Sequence, residues 1–503
     1  SFILNTGFGD YASNIAFLIA KESNKPALDI AYGLAKKLRS KPIFKKVEVA
    51  GKGFINFTLA ETFLWQELKK AKDVNFGKVD IGRQQRVLVE YISANPTGPL
   101  NVVQARAGAF GNALVNLLRF VNYQAFSEYY INNTGQQIDL LYESFLARMR
   151  TLMGKPTELP EHGYPGSYLI EIAKQFIKEN IPQANWRSKL LETIINQQKS
   201  SLQKFGIHFD YFAEESNYVA LREVVLERLK DYCYQKEGAL WFRASQFNDS
   251  EDRVLITANG RATYFLSDLA YHWDKFKRGF DILINIWGPD HHGYIQRMKG
   301  GIKGLGFDAE RLIVIIAQQV SLLRNKEKIV MSKRAGEFIT LDEVLAEIGA
   351  DALKFFLLMR RASQHLEFDL ALAQKTSQEN PVYYVQYAHA RINSIVRNAM
   401  SIKELNEDNL DLSVLTNDSE QFLIKVILHF PDVLAASARH FEPHHLVYYL
   451  LQLANAFHNF YEKVRVITDE PQLFQARIFL CQCTQQVIRQ GLNILGITAP
   501  EKM

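Results

Sequence analysis

The 503-residue chain is 47% hydrophobic and 22% charged, with 59 Lys/Arg against 54 Asp/Glu and a formal net charge of +5. At ~150 residues per domain, that length implies about three domains, each able to bury a core, and the charged fraction excludes disordered and low-complexity classes. The strongest apolar run, Leu312 to Ala317, is strand-sized, far below the ~18 residues of a spanning helix, so no membrane association is expected.

Three cysteines cannot form a disulfide framework, and Cys481 and Cys483 lack the partners of a zinc site. A reducing compartment is expected, the cytoplasm or the inside of an organelle. The chain opens Ser1-Phe2-Ile3-Leu4-Asn5, with no methionine and no charged-then-apolar leader, so the front of the first domain is expected to be missing. Charge is unevenly spread. Lys21 to Lys46 holds eight Lys/Arg against Glu22 and Asp29, whereas Pro381 to the end holds 10 basic and 12 acidic residues. A polyanion would meet the front of the molecule; the plainer reading of that stretch is a solvated helix face.

Residues 1–76 read as a small α+β domain. Ala27 to Leu38 carries a helical pattern, and Val47-Glu48-Val49 and Phe54-Ile55-Asn56-Phe57 alternate like paired strands around Gly51 and Gly53. The second domain, 77–374, repeats strand, Gly/Pro-rich loop and helix. Val87 to Tyr91, Ile282 to Trp287 and Leu312 to Ile316 are apolar runs suited to buried parallel strands, and Ala105 to Phe120 is a helix. This is an α/β pattern, a doubly wound parallel sheet, with a helix-rich insertion at about 127–253. From 375 to 503 the strand signals stop, and Pro381 to Arg397 and His445 to Arg465 are helical, giving an all-helical C-terminal domain.

No GxxxxGK[ST], HExxH or GxGxxG string occurs. Four loops carry chemistry instead. Glu90 and Asn95 flank a strand end, either gripping a cationic head group or merely forming a strand cap and an Asn-Pro turn. Tyr264 and Asp268, at i and i+4, share a helix face and offer a ring wall and an anion. Gly288-Pro289-Asp290-His291-His292-Gly293 follows a strand; its adjacent histidines diverge and have no third ligand nearby, so a polar small-molecule loop is expected and not a metal site. Met331-Ser332-Lys333-Arg334 is either a cationic phosphate clamp or a solvated loop.

Together these strings resemble the arginyl-tRNA synthetases, a class I aminoacyl-tRNA synthetase family. Met331-Ser332-Lys333-Arg334 is similar to the family's KMSK-type signature, and Glu90 to Leu100 to the segment leading into its HIGH-type signature. Further matches are Gly9 to Asn14, Gly53 to Phe57, Tyr129 to Asn133, Asp290 to Tyr294, Tyr384 to Arg391 and Leu495 to Glu501. The resemblance implies a Rossmann-type catalytic domain between an N-terminal domain contacting the tRNA elbow and an anticodon-binding tail. It implies arginine held by Glu90, Asn95, Tyr264 and Asp268, ATP lined by Gly288, Asp290, His291, Met331 and Val103, and catalysis through Lys333, Ser332, Asn101 and Gln104. ATP enters as substrate, with Mg2+ accompanying it and no protein metal site. The partners implied are L-arginine and tRNA(Arg), and a monomer is expected.

The sequence departs from the family pattern at one place above all. Where His-x-Gly-His should follow Pro99-Leu100, it has Asn101-Val102-Val103-Gln104, and Val330 stands where the second signature carries a lysine. Two readings follow: an arginine–tRNA ligase with an altered ATP site, or a non-catalytic relative that binds tRNA, arginine or a protein.

Overall fold

The computed structural model describes residues 9–329, 339–402 and 410–503. The N-terminal unit has strand β1 (Tyr11–Ser13), helices α1 (Ile15–Ser23) and α2 (Ala27–Leu38), strands β2 (Phe44–Ala50) and β3 (Phe54–Leu59), then helix α3 (Glu61–Lys70). Its sheet has the antiparallel order β1-β3-β2, and the small core is Ala16, Ala31, Ala35, Val47 and Ile55. Asp10, 4% exposed, pins this unit to the C-terminal helices: it accepts from Leu59 N (2.8 Å) and pairs with Lys425 (2.7 Å).

The middle of the chain runs β4 (Arg86–Glu90), α4 (Val102–Phe120), β5 (Gln124–Ile131), α5 (Gln136–Leu152), α6 (Tyr168–Lys178), α7 (Trp186–Lys204), β6 (Tyr211–Glu214) and α8 (Leu221–Leu229). A three-stranded antiparallel sheet follows, β7 (Cys233–Lys236), β8 (Ala239–Phe242) and β9 (Arg253–Ile256), then α9 (Tyr264–Lys277), β10 (Ile282–Trp287), α10 (Tyr294–Gly304) and β11 (Leu312–Ile316). The central sheet is fully parallel in the order β11-β10-β4-β5-β6. The chain leaves β4 in one direction and returns to its other side at β10, so a crevice opens where the β4 and β10 C-termini part, the usual ligand position of such sheets.

Two core clusters cover the sheet: one packs α4 under Val87 and Val89, the other packs α9 and α10 under Leu88, Leu283 and Leu312. Gly111 is required on α4, because a Cβ there would lie 2.2 Å from the Tyr91 ring.

The sheet corrects the expected insertion. Its start at 127 falls inside β5, and both β5 and β6 belong to the central sheet. The apolar pattern of β5 is broken by Ser127 and Glu128, which are buried yet satisfied, Ser127 by Asp210 and Glu128 by Tyr271 and Arg278. A strand whose polar residues are paired inside does not read as an apolar run.

A small sheet of β12 (Val320–Arg324), β13 (Glu327–Lys328) and β14 (Leu366–Asp369) brackets α11 (Leu341–Leu358), in which Gly349 leaves helical geometry at φ 77°. After α12 (Leu370–Ala373) come α13 (Pro381–Ile402), α14 (Asp418–Leu428), α15 (Phe430–His440), α16 (His444–Lys463) and α17 (Pro471–Ile494). By length and composition the run Asp418–His440, mean hydropathy 1.3, is long and apolar enough to cross a membrane, although Glu420, Lys425 and Asp432 interrupt it. Its Leu423, Ile424, Ile427, Phe430 and Leu434 are instead fully buried in the helical core.

Candidate active site

A cleft of about 1120 Å³ lies at the β4/β10 crevice. Glu90, Asn95, Gln104, Tyr264, Asp268, Gly288 and His291 line it, together with Glu215, His272, Asn285 and Tyr294. Sheet register explains the convergence. Asn285 pairs with Glu90, and Glu90 with Glu128, so three polar residues lie level across β10, β4 and β5. Helix α9 crosses above them, capped by Thr263 and buried along most of its length.

Asp268, Tyr271, His272, Lys275 and Arg278 recur along α9 at spacings of three or four and face that row. Lys275, 0% exposed, is ion-paired with Glu90 and donates to Asn285 Oδ1 (3.2 Å). Tyr271 donates to Glu128 Oε1 (2.5 Å), and Arg278 binds the same carboxylate through two nitrogens (2.6 and 3.0 Å).

Asp268 is 7% exposed and accepts from the Tyr294 hydroxyl at 2.8 Å. Burial, with the nearby carboxylates of Glu90 and Glu215, pushes its pKa up to about 8. This buried acid lines the cleft beside the half-exposed Tyr264 ring, an arrangement chemically suited to a ligand cation. Glu90 forms the other end, its Oε1 held by Ser93 Oγ (2.7 Å). Asn95, which also lines the cleft, donates from Nδ2 to Gln137 Oε1 (2.5 Å).

The structure revises three expectations at the nucleotide end. Asn101 and Gln104 form a capping box on α4: Asn101 Oδ1 accepts from Val103 N (3.0 Å) and Gln104 N (3.3 Å), and Gln104 Oε1 accepts from Asn101 N (2.8 Å). Both side-chain oxygens are therefore engaged with the helix end, and what each offers a ligand is its NH2 group. Val103 packs its side chain against the main core and does not line the cleft. Asp290 is exposed and also stands outside the lining, because the short helix Pro289–His291 turns it outward. His291 does line it, with a buried Nδ1 that finds no hydrogen-bond partner among the described residues.

Met331, Ser332 and Lys333 lie outside the described residues. The chain next to them returns at Thr340, which bridges to Asn101, with Leu341 N donating to Leu100 O (2.8 Å). Among the described residues one further group, Glu442, His444 and His445, brings potential metal-ligand atoms within 4.8 Å of one another. The Arg361 guanidinium sits 3.3 Å from Glu442, supplying the positive charge there already.

Sequence reading missed Lys275, His272, Asn285, Glu128 and Tyr294. The signal was present in α9, as ionisable residues at 268, 272 and 275 on a helix whose other residues are apolar enough to be buried.

Three family models match the chain in order: the arginyl tRNA synthetase N-terminal domain over residues 3–59, the class I (R) tRNA synthetase catalytic domain over 68–394, and the DALR anticodon binding domain over 385–503. The arginine–tRNA ligase of Legionella pneumophila (strain Corby) is 40% identical over 550 residues, covering 98% of this chain and 93% of the relative. The chain belongs to the arginyl-tRNA synthetase family. The arginine–tRNA ligase of Citrifermentans bemidjiense is 43% identical over 519 residues, with the same coverage. A crystal structure from Campylobacter jejuni superposes with TM-score 0.81 at 36% identity, covering 88% of this chain and 100% of that one. Thermus thermophilus arginyl-tRNA synthetase shares the fold with TM-score 0.80 at 22% identity, covering 100% of this chain and 96% of that one. As a family member the chain has the class I synthetase fold, with its small N-terminal and helical C-terminal domains.

Proposed function

We propose that this protein is an arginine–tRNA ligase that activates L-arginine with ATP in the β4/β10 cleft and transfers it to tRNA(Arg). The observation that carries this is the two-ended pocket. Asp268 meets a cation at the closed end, with Tyr264 as a wall, and Glu90 and Asn95 meet the α-amino group at the strand end. Arginine carries a cation at both places, and its planar guanidinium, unlike the lysine ammonium, can stack on the Tyr264 ring while pairing with Asp268.

In activation an oxygen of the arginine α-carboxylate attacks the α-phosphorus of ATP, and the bond to the departing pyrophosphate breaks. A ribose hydroxyl of the tRNA's terminal adenosine then attacks the arginyl carbonyl, and AMP leaves. No protein nucleophile is needed; the chain contributes position and charge. The NH2 groups of Asn101 and Gln104, at the positive end of α4, donate to the phosphates in place of imidazoles. Gly288 and His291 line the ribose side, and Ser332 and Lys333 take charge from the leaving pyrophosphate. Mg2+ travels with ATP on its phosphate oxygens, with no dedicated protein cage.

Two surfaces support tRNA binding. Lys21, Lys25, Lys36, Lys37, Arg39 and Lys41 are all exposed on the N-terminal unit. On the helical domain Tyr383 and Tyr387 stack at 5.9 Å with 9° between planes, and Arg391 lies 4.2 Å over the Tyr461 ring, a surface on which unpaired bases stack. The protein works in the cytoplasm, and as a monomer, the latter being what light scattering of the purified chain tests.

The deciding experiment is arginine-dependent ATP–pyrophosphate exchange with tRNA(Arg) present. Exchange abolished by Asp268→Asn is expected. No exchange above background with tRNA binding intact would make the protein a non-catalytic relative, and the triple substitution Asn101→His, Val103→Gly, Gln104→His would then show whether the lesion is local.

A further inference from the structure

A buried chain of hydrogen bonds runs between the two ends of the pocket, and its polarity can be read atom by atom. His272 Nδ1 lies 2.8 Å from the Asp268 carbonyl oxygen, which only accepts, so Nδ1 carries the proton. Nε2 is then an acceptor, and Asn285 Nδ2 donates to it at 2.9 Å. That fixes the Asn285 amide: its Oδ1 faces Lys275 Nζ at 3.2 Å. The Lys275 ammonium, 4.2 Å over the Tyr271 ring, gives its strongest contact to Glu90 Oε2, while Ser93 Oγ takes Oε1. Burial and the Lys275 charge push His272 down to about 3, in keeping with a neutral ring. All four residues of this chain, Glu90, His272, Lys275 and Asn285, are at most 4% exposed.

Lys275 donates to both Glu90 and Asn285, and each other link of the relay has one donor and one acceptor, so its members hold one another in orientation. We propose that Lys275 is a positioning residue for arginine: its ammonium, oriented by Asn285 and His272, holds the Glu90 carboxylate where it meets the α-amino group. The relay spans the distance from the Asp268 backbone to Glu90, so it sets the spacing between the two acids as well as the aim of one. Lys275 lies behind Glu90 and acts through it, without touching the amino acid. This inference rests on the assignment of Glu90 to the α-amino group.

The test compares L-arginine with 5-guanidinopentanoate, the same molecule without its α-amino group, by calorimetric titration of the full-length chain. Lys275→Met should weaken arginine at least tenfold while the des-amino compound stays within about twofold, and Lys275→Gln, which restores a donor, should recover part of the loss. Glu90→Gln should remove the preference for arginine over the des-amino compound. Lys275→Met leaves a buried carboxylate without its cation and can prevent folding. In that event Asn285→Leu, which keeps the ion pair and removes its guide, is expected to weaken arginine two- to fivefold in the same selective way. Equal weakening of both ligands, or of neither, overturns the role of Lys275 while the Glu90 assignment stands. A Glu90→Gln protein that keeps the full preference overturns both.

Discussion

The Tyr294 hydroxyl donates to Asp268 Oδ2 over 2.8 Å, joining the first residue of α10 to the first turns of α9 across the cleft. This bond is the chief influence holding the Asp268 pKa down, against burial and the charges of Glu90 and Glu215, which together leave it at about 8. With its pKa raised this far, the acid proposed to meet the guanidinium would have to release a proton for arginine to pair with its carboxylate.

Arginine affinity should consequently rise with pH, about tenfold per unit below pH 8, and level off above it. Tyr294→Phe removes the influence that lowers the pKa, so its titration midpoint should move to higher pH. The stability sign agrees. A carboxyl whose folded pKa is raised contributes stability at low pH that is lost as pH climbs toward 8. Arginine should thus raise Tm more at pH 8.5 than at pH 6.5, and a ligand-induced shift independent of pH would refute the assignment of Asp268.

The capping box separates two roles of Asn101. Asn101→Ala should cost about 1 kcal/mol in urea unfolding, since it strips the acceptor from the Val103 and Gln104 amides. Asn101→Asp keeps the cap and should hold stability, yet it sets a carboxylate where phosphates are proposed to bind. Pyrophosphate exchange should fall at least tenfold in that variant; unchanged exchange would place the phosphates elsewhere.

Arg106 on α4 is 1% exposed and donates to the carbonyls of Gln318 (2.9 Å), Gln319 (3.3 Å) and Arg361 (2.9 Å). Burial lowers its pKa to about 10. Arg106→Met should destabilise the protein by about 2–5 kcal/mol, because three carbonyl acceptors lose a buried charged donor together. Differential scanning calorimetry reads this directly, and a change under 1 kcal/mol would show that water replaces the guanidinium.

Lys354 ties two helix ends, donating to Gly206 O beyond α7 (3.3 Å) and Gly496 O beyond α17 (2.6 Å). Burial lowers its pKa to about 8. The folded state then binds fewer protons than the unfolded state between pH 8 and 10.5, so stability from this group rises with pH across that window. The difference in unfolding free energy between the native protein and Lys354→Met should change by about 1–3 kcal/mol between pH 8 and 10. A constant difference would mean that the ammonium is solvated.

Local order was decided by the chain itself. Ala27 to Leu38 is a helix because small apolar residues recur every three or four positions, and Val87 to Glu90 and Ile282 to Trp287 are parallel strands because both of their faces are apolar. Glu90 and Asp268 were visible as site residues because each belongs to a distinctive string. What the string could not convey is that Glu90, Asn285 and Glu128 lie level on three neighbouring strands, since register is a relation between segments up to 195 residues apart in Glu90 and Asn285. Lys275 looked like one more basic residue near the end of a helix until the sheet placed a carboxylate beneath it. Asn101 and Gln104 looked like replacements for phosphate donors, and only the helix end showed that their oxygens are spent on α4's own amides. Sequence determines which side chains are available and which face of an element they share; tertiary structure decides which of them meet, because a buried charge is fixed by its partner and the partner comes from another element.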